Sequence, residues 1–170
     1  MKKSNDNKFP DWANQELSLQ LPEIISKGEN QFVDFKEILE RNERMAKEIA
    51  SFATSNDGMI IIGVDDNDQI VGIQNAHQQA TRKNLVERIE KICTGCVLPS
   101  VTPEFEFAVI GSHVLLAIKI KKGPEPVYYT NSYVPYLRSH SEARPAKPNE
   151  VYQLIKNHID GVSTNTSAKA

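Results

Sequence analysis

Cysteine is scarce in this sequence, and long apolar runs are absent. The 170 residues include two cysteines, Cys93 and Cys96, which are too few and too close together for a disulfide framework. No apolar run approaches the roughly eighteen residues of a membrane span, and the opening MKKSNDNKFPDW lacks the apolar centre of a signal peptide. We therefore expect a soluble protein in the reducing cytoplasm.

Charge of one sign is not in surplus, and two common ligand-binding motifs are missing. The net charge of -2 excludes a uniformly basic nucleic-acid binder but leaves local patches open. The phosphate loop GxxxxGK[ST] is absent, so ATP binding would need a different cradle. Cys93-Thr94-Gly95-Cys96 has the spacing of half a zinc site but has no second half. We expect no zinc, and we interpret Cys93 as a core residue.

The length and the 39% hydrophobic content are those of a chain with one ordinary core. We predict a flexible lead over residues 1–11, one domain over 12–160 and a disordered tail over 161–170, because both ends are polar.

Apolar periodicity predicts helices and strands in mixed order. Helices are expected over 12–27 with a break near Pro22, around 45–52, from about 81 to 95, and from Pro148. Strands are expected over 31–38, 59–64, 69–73, 105–109, 114–120, 128–129 and 133–138, with hairpins joining 59–64 to 69–73 and 105–109 to 114–120. This order predicts an α+β fold: a single domain with a mixed, largely antiparallel sheet flanked by helices.

The strand 31–38 carries Asp34 and Lys36 two positions apart. Strand alternation places both side chains on one face, roughly 6.5 Å apart at their Cα atoms. A carboxylate there can bind Mg²⁺ or Mn²⁺ while a neighbouring ammonium group steadies a phosphate. A solvated strand face with an ordinary aspartate and lysine explains the same three residues, and on this motif alone it is the stronger interpretation.

A second acidic segment, Asp65 to Asp68, follows the apolar run 59–64. Aspartate and asparagine are common in tight turns, which is a sufficient structural explanation. A calcium loop is excluded because the required glycine and the later glutamate are missing. If the two strands are neighbours, however, Glu29, Asp34 and an aspartate of this segment can converge on a cation.

Three segments together resemble a known family. GENQFVDFKE, IASFATSNDGMIIIGVDDNDQIVG and YVPYLRSHSEARPA look like the Schlafen AlbA-type domain, and the resemblance covers roughly residues 21–155. It implies a mixed α/β fold. Vertebrate members include metal-dependent endoribonucleases that act on transfer and ribosomal RNA, and other members are described as nucleic-acid-binding or ATP-binding regulators.

The resemblance also implies the roles of individual residues. Glu29, Asp34 and Asp66 (favoured over Asp65) would be catalytic and would hold Mg²⁺ or Mn²⁺, with Lys36 steadying the phosphate. Asp34 stands where the family usually has glutamate. Because aspartate is one methylene shorter, the cation would sit nearer the strand or be held through water, so cation binding is expected while activity is left open.

Basic residues of the second half are expected to contact nucleic acid. An ordinary charged surface is the alternative for these residues, and binding should weaken steeply with salt if the surface is real. His140 is also a modest candidate for proton transfer. The candidates are Lys119, Lys121, Lys122, Arg138, His140, Arg144 and Lys147.

The leading functional expectation is a nucleic-acid-binding domain that acts as a metal-dependent endoribonuclease on structured RNA such as tRNA, with RNA favoured over DNA. The alternatives are a non-catalytic DNA- or RNA-binding module in regulation or phage defence, and a nucleotide-binding regulator. The vertebrate nuclease domain contains two related lobes and this chain supplies one. A homodimer is therefore also expected.

Overall fold

The computed structural model describes residues 8–167, with side chains to residue 164. The helices are α1 Gln15–Ser26, α2 Asn42–Ser55, α3 Gln79–Gly95 and α4 Pro148–Ser167. The strands are β1 Val33–Lys36, β2 Gly58–Ile62, β3 Val97–Leu98, β4 Glu104–Ile110, β5 His113–Ile120, β6 Tyr129–Thr130, β7 Tyr136–Ser139 and β8 Glu142–Pro145.

The first helix runs unbroken through its proline. It begins after Asn14, whose side-chain oxygen accepts a hydrogen bond from the Leu17 N–H at 2.8 Å. Pro22 lies inside α1, so the predicted break there is wrong. Leu21 and Ile25 on either side are buried against the sheet. This packing offsets the backbone hydrogen bond that proline cannot donate.

The central sheet has four strands in the order β1-β2-β5-β4. β1 runs parallel to β2, and the other two pairs are antiparallel. The fold is therefore α+β with a mixed, mostly antiparallel sheet, as predicted. The hairpin of β4 and β5 around Gly111 is also confirmed, with Ile110 opposite His113.

The isoleucines of β2 are buried because helices cover both faces of the sheet. Ile60 and Ile62 pack with residues of α2 and α3 on one face. Ile61 packs with residues of α1 on the other face. The same alternation places Asp34, directly opposite Ile60, on the face covered by α2. Cys93 is buried in the α2 and α3 core as predicted.

The predicted hairpin between 59–64 and 69–73 is wrong. β2 already pairs with β1 on one edge and with β5 on the other, so no edge is open to a further strand. Residues 69–73 form no strand: Ile70 makes an isolated antiparallel bridge with Val64, and the N–H groups of Val71 and Gly72 both donate to the Gly63 carbonyl at 2.9 Å. Gly63 and Gly72 adopt φ values of 110° and 71°, which turn the chain away from a regular strand.

Two further differences concern the second half of the chain. β8, which pairs with β7, was not predicted. α4 reaches Ser167, so residues 161–167 of the predicted disordered tail are helical. Most of the predicted lead and residues 168–170 lie outside the described residues. Within the described part of the chain, no helix is long and apolar enough to cross a membrane.

Candidate functional site

An acidic pocket of about 450 Å³ lies beside β1, beneath α2. Seven of its lining side chains are carboxylic acids and one is a lysine. The lining residues are Glu29, Asp34, Phe35, Lys36, Glu37, Ile38, Glu40, Glu48, Asp66, Ser141, Glu142 and Ala143. The four residues predicted as catalytic therefore meet at one pocket.

Short backbone connections position these residues. The Glu29 side chain turns back to accept the Phe35 N–H at 2.7 Å. The Gly63 N–H donates to the Lys36 carbonyl at 2.8 Å, which places the loop after β2 beside the end of β1. Glu29 as a whole is exposed, but partial burial of its carboxyl group raises its pKa, with the charge of Asp34 adding to the effect.

Of the two adjacent aspartates, only Asp66 lines the pocket. One oxygen of Asp65 accepts both the Asn67 N–H and the Gln69 N–H at 2.9 Å. Asp65 thus stabilises its own turn. Asp66 is exposed at the pocket, so it is the aspartate of the pair that a ligand in the pocket can contact.

Asp34 is buried between two positively charged side chains. The Lys36 ammonium lies 2.8 Å from one carboxylate oxygen, although without hydrogen-bond geometry. The Arg138 guanidinium lies 3.5 Å from the other oxygen. Burial opposes the charged form of Lys36, but the negative charges of Asp34 and Glu48 outweigh it and raise the pKa of Lys36. Both oxygens of Asp34 therefore already face a positive charge.

Glu48 of α2 is a pocket residue that the sequence prediction missed. Its carboxylate accepts a hydrogen bond from Arg138 at 2.7 Å, and its side chain is 13% exposed. Burial, reinforced by the charge of Asp34, raises the pKa of Glu48 to about 7. A signal was present, because Glu48 lies three residues after Met45 and four before Phe52, on the apolar side of the helix.

The structure does not place Arg138 where it could bind a phosphate in solvent. Its side chain is 0% exposed. Besides its two carboxylate partners, it donates to the carbonyls of Asn30 and Val33 at 3.2 and 3.3 Å, and it lies over the Phe52 ring at 4.4 Å. Arg138 therefore joins β7 to β1 and α2 and acts as a structural clamp.

The remaining basic candidates fall into two separate regions rather than one surface. Near the end of β5, Lys119 pairs with Glu106 at 2.6 Å, and Lys121 pairs with Asp57 at 3.4 Å. Lys122 is exposed beside them.

The second basic region lies at the junction of β8 and α4, where both terminal nitrogens of Arg144 donate to Glu150 at 2.8 and 2.7 Å. Lys147 and His140 are exposed, and His140 lies in the turn before the pocket-lining Ser141.

Carboxylate oxygens are the ligands that Mg²⁺ and Mn²⁺ prefer, so the donor type of the pocket fits such a cation. Glu29 and Asp66 are exposed, but the Glu29 carboxylate already accepts the Phe35 N–H at 2.7 Å. In the conformation described, no group of three or more acidic, histidine or cysteine side chains among the described residues is close enough to hold a metal ion. Binding would therefore require these two side chains to rotate toward Asp34.

Comparison with solved structures shows a related fold. The DIP2311 protein from Corynebacterium diphtheriae matches with a TM-score of 0.57 and 18% identity, over 82% of this chain and 28% of that chain. The present chain thus spans less than a third of that protein. The N-terminal domain of a RecG-related protein from Nitrosomonas europaea matches with a TM-score of 0.46 and 18% identity, over 62% of this chain and 72% of that chain.

Comparison with sequence families is more specific. No curated protein matches the chain significantly. The family model described as Schlafen, AlbA_2 matches residues 29–147, which contain the acidic pocket and most of the ordered core. This range is well over half of the chain. The chain therefore belongs to the Schlafen AlbA_2 family.

Proposed function

We propose that this protein binds nucleic acid, with RNA favoured over DNA, and cleaves it with Mg²⁺ or Mn²⁺ at the acidic pocket. The observation that carries the proposal is the meeting of Glu29, Asp34 and Asp66, from three segments of the chain, around one pocket that also contains Lys36. Membership in the Schlafen AlbA_2 family supports it.

The charge of the pocket supports a requirement for a cation. Seven carboxylic acids and one lysine line it, so its field repels a phosphate unless positive charge is added. A bound divalent cation supplies that charge and lowers the pKa of a coordinated water. Glu29 and Asp66 would turn to hold the cation, and Arg138 would hold Asp34 in place.

Lys36 has a separate role in this proposal. Its side chain is 15% exposed, and its ammonium group lies 2.8 Å from Asp34. The raised pKa keeps it charged at neutral pH. Lys36 is thus placed to steady a phosphate oxygen that arrives beside Asp34.

The test is a cleavage assay with purified protein, transfer RNA and duplex DNA, in Mn²⁺ or in EDTA. We expect cleavage of RNA that is lost in EDTA and reduced at least tenfold in Asp34→Ala and Asp66→Ala, while Asp160→Ala, an exposed aspartate of α4, cleaves normally. Cleavage that survives EDTA, or that survives both pocket substitutions, would contradict the proposal.

A non-catalytic nucleic-acid-binding module is the second candidate. The observation that favours it is the state of Asp34, whose two oxygens already face Lys36 and Arg138. If these contacts persist, Asp34 cannot serve as a metal ligand. Binding of RNA or DNA with no cleavage at any Mn²⁺ concentration would support this candidate over the nuclease.

A further inference from the structure

Tyr133 occupies a backbone position that normally suits glycine. It is the third residue of the loop between β6 and β7, where the Tyr133 N–H donates to the Thr130 carbonyl at 2.9 Å and the Thr130 N–H donates to the Val134 carbonyl at 3.0 Å. This is a three-residue hairpin loop, whose last position favours glycine or asparagine in the left-handed region. Tyr133 adopts that conformation with φ of 62°, which is strained for a bulky side chain.

The tyrosine ring does not contribute to the core. At 79% exposure, Tyr133 is the most exposed large hydrophobic residue in the described part of the chain. Burial of the ring therefore does not offset the backbone strain. A strained, bulky and solvent-facing residue is a candidate for function rather than for stability.

A groove of about 320 Å³ lies between this loop and α2, lined by the residues on either side of Tyr133, Ser132 and Val134, but not by Tyr133 itself. Glu43 is the only carboxylate among its lining residues, and Arg44 and Lys47 supply two positive charges. The Arg44 side chain is 67% exposed and forms an ion pair with Glu40 at 3.4 Å. The groove is thus net positive, in contrast to the acidic pocket. Its other lining residues are Thr130, Asn131, Ser132, Val134 and Tyr136.

We propose that Tyr133 and this groove bind an unpaired nucleotide of a single-stranded nucleic acid, with Arg44 and Lys47 contacting phosphate and the tyrosine ring stacking on the base. An exposed aromatic face beside cations is the combination by which proteins hold single strands without reading their sequence. The proposal rests on the nucleic-acid binding proposed above and adds a site outside the acidic pocket.

The fold connects the two sites through β7. Tyr136, at the start of β7, lines the groove, and Ser141, in the turn after β7, lines the acidic pocket. β7 spans three residue steps from Tyr136 to Ser139, which is roughly 10 Å at about 3.3 Å per residue, and Ser141 follows in the turn that reverses the chain. A nucleic-acid chain bound at Tyr133 therefore reaches the acidic pocket within a few nucleotides.

Tyr133→Gly should change binding and stability in opposite directions, because it removes the stacking ring and also relieves the backbone strain. We would measure binding of a fluorescein-labelled twelve-nucleotide oligouridine by anisotropy in Mn²⁺, and the melting temperature of each variant. Tyr133→Gly should weaken binding about tenfold or more while the melting temperature stays equal or rises by about 2 to 4 °C. Tyr133→Phe should bind like the unsubstituted protein. Lys47→Gln should weaken binding and lower its salt dependence by about one ion.

Tyr152→Ala is the matched control, because Tyr152 is an exposed tyrosine of α4 at 62% exposure, and it should leave binding unchanged. Equal binding by the Tyr133→Gly variant and the unsubstituted protein would overturn the Tyr133 site while leaving the proposed function intact. The Tyr133 site would also be overturned if a glutamate-rich peptide displaced the labelled oligouridine as well as unlabelled oligouridine does. Failure of the unsubstituted protein to bind any RNA or DNA would instead overturn the proposed function, and this site with it.

Discussion

At the scale of single residues, the acidic pocket depends on one buried arginine. Arg138 contacts Glu48 and Asp34 and is itself inaccessible to solvent. Among the residues that the structure describes, its Nε has no hydrogen-bond partner, so one donor of the buried guanidinium is unsatisfied. Removing the arginine leaves two neighbouring carboxylates in a poorly solvated place. Breaking a buried ion pair from one side is strongly destabilising.

Arg138→Ala should therefore lower the free energy of unfolding by about 3 to 5 kcal/mol. Denaturant unfolding measures this directly. Arg144→Ala is the matched control, because the Arg144 side chain is 38% exposed and its surface pair contributes at most about 1 kcal/mol. Equal stabilities of the two variants would show that Arg138 is not the clamp described here.

Glu48 gives the pocket a predictable pH dependence. Burial raises its pKa from 4.5 to about 7 in the folded protein. Between these values the folded state holds a proton that the unfolded state has released, so stability falls as pH rises. The free energy of unfolding is unaffected by this group below about pH 4.5 and has fallen by the full amount above about pH 7. The total decrease is at most about 3 kcal/mol.

Glu48→Gln removes that titration. Between pH 5 and pH 8, the unsubstituted protein should lose more stability than the Glu48→Gln variant, as measured by urea unfolding at each pH. Glu87→Gln, which changes an exposed glutamate of α3, should keep the original dependence. Identical pH profiles for the Glu48→Gln variant and the unsubstituted protein would contradict the raised pKa.

At the scale of elements, α2 and β2 approach each other closely at Gly58. Gly58, the first residue of β2, lies against the Phe52 ring so closely that a Cβ atom there would overlap the ring carbons. Phe52 is completely buried and also supports the Arg138 guanidinium. The ring therefore cannot move aside without disturbing the clamp.

Gly58→Ala should destabilise the protein by about 1 to 3 kcal/mol or more, which is the usual cost of overpacking a core. Thermal unfolding is a sufficient measurement. Gly95→Ala is the control, since a Cβ atom at the end of α3 meets none of the described residues within 4 Å, and alanine favours helix. A Gly58→Ala variant as stable as the Gly95→Ala variant would show that α2 and β2 are not packed as described.

The same scale explains which elements the sequence could predict. The hairpin of β4 and β5 has clear alternation and a two-residue turn, and both signals are local. The partners of β2 were mispredicted because a strand buried on both faces carries no local mark of its neighbours. The helix α1 continued through Pro22 because burial of Leu21 and Ile25 outweighed local propensity.

In the candidate site, too, the sequence predicted what local motifs mark and missed what depends on distant partners. Sequence and family resemblance placed Glu29, Asp34, Lys36 and Asp66 together, and they line one pocket. The sequence could not show that Arg138 is buried, because a charged residue is expected at the surface unless its partners are known. Those partners come from α2 and β1, many residues away, so only the folded chain reveals them.

At the scale of the whole molecule, a net charge of -2 hides two opposite local fields. The acidic pocket lies at one end of β7 and the groove with Arg44 and Lys47 lies at the other. Phosphate is attracted to the groove and, without a cation, repelled by the pocket. A divalent cation in the pocket would make the two sites compatible with one nucleic-acid strand.

Calorimetric titration of the protein with Mn²⁺ measures directly whether the acidic pocket binds a divalent cation. We expect one cation bound per chain, loss of at least tenfold in affinity in Asp66→Asn and in Glu29→Gln, and no change in Asp160→Asn. Absence of Mn²⁺ binding at millimolar concentration, or binding that is equal in all four proteins, would contradict a cation site at the acidic pocket.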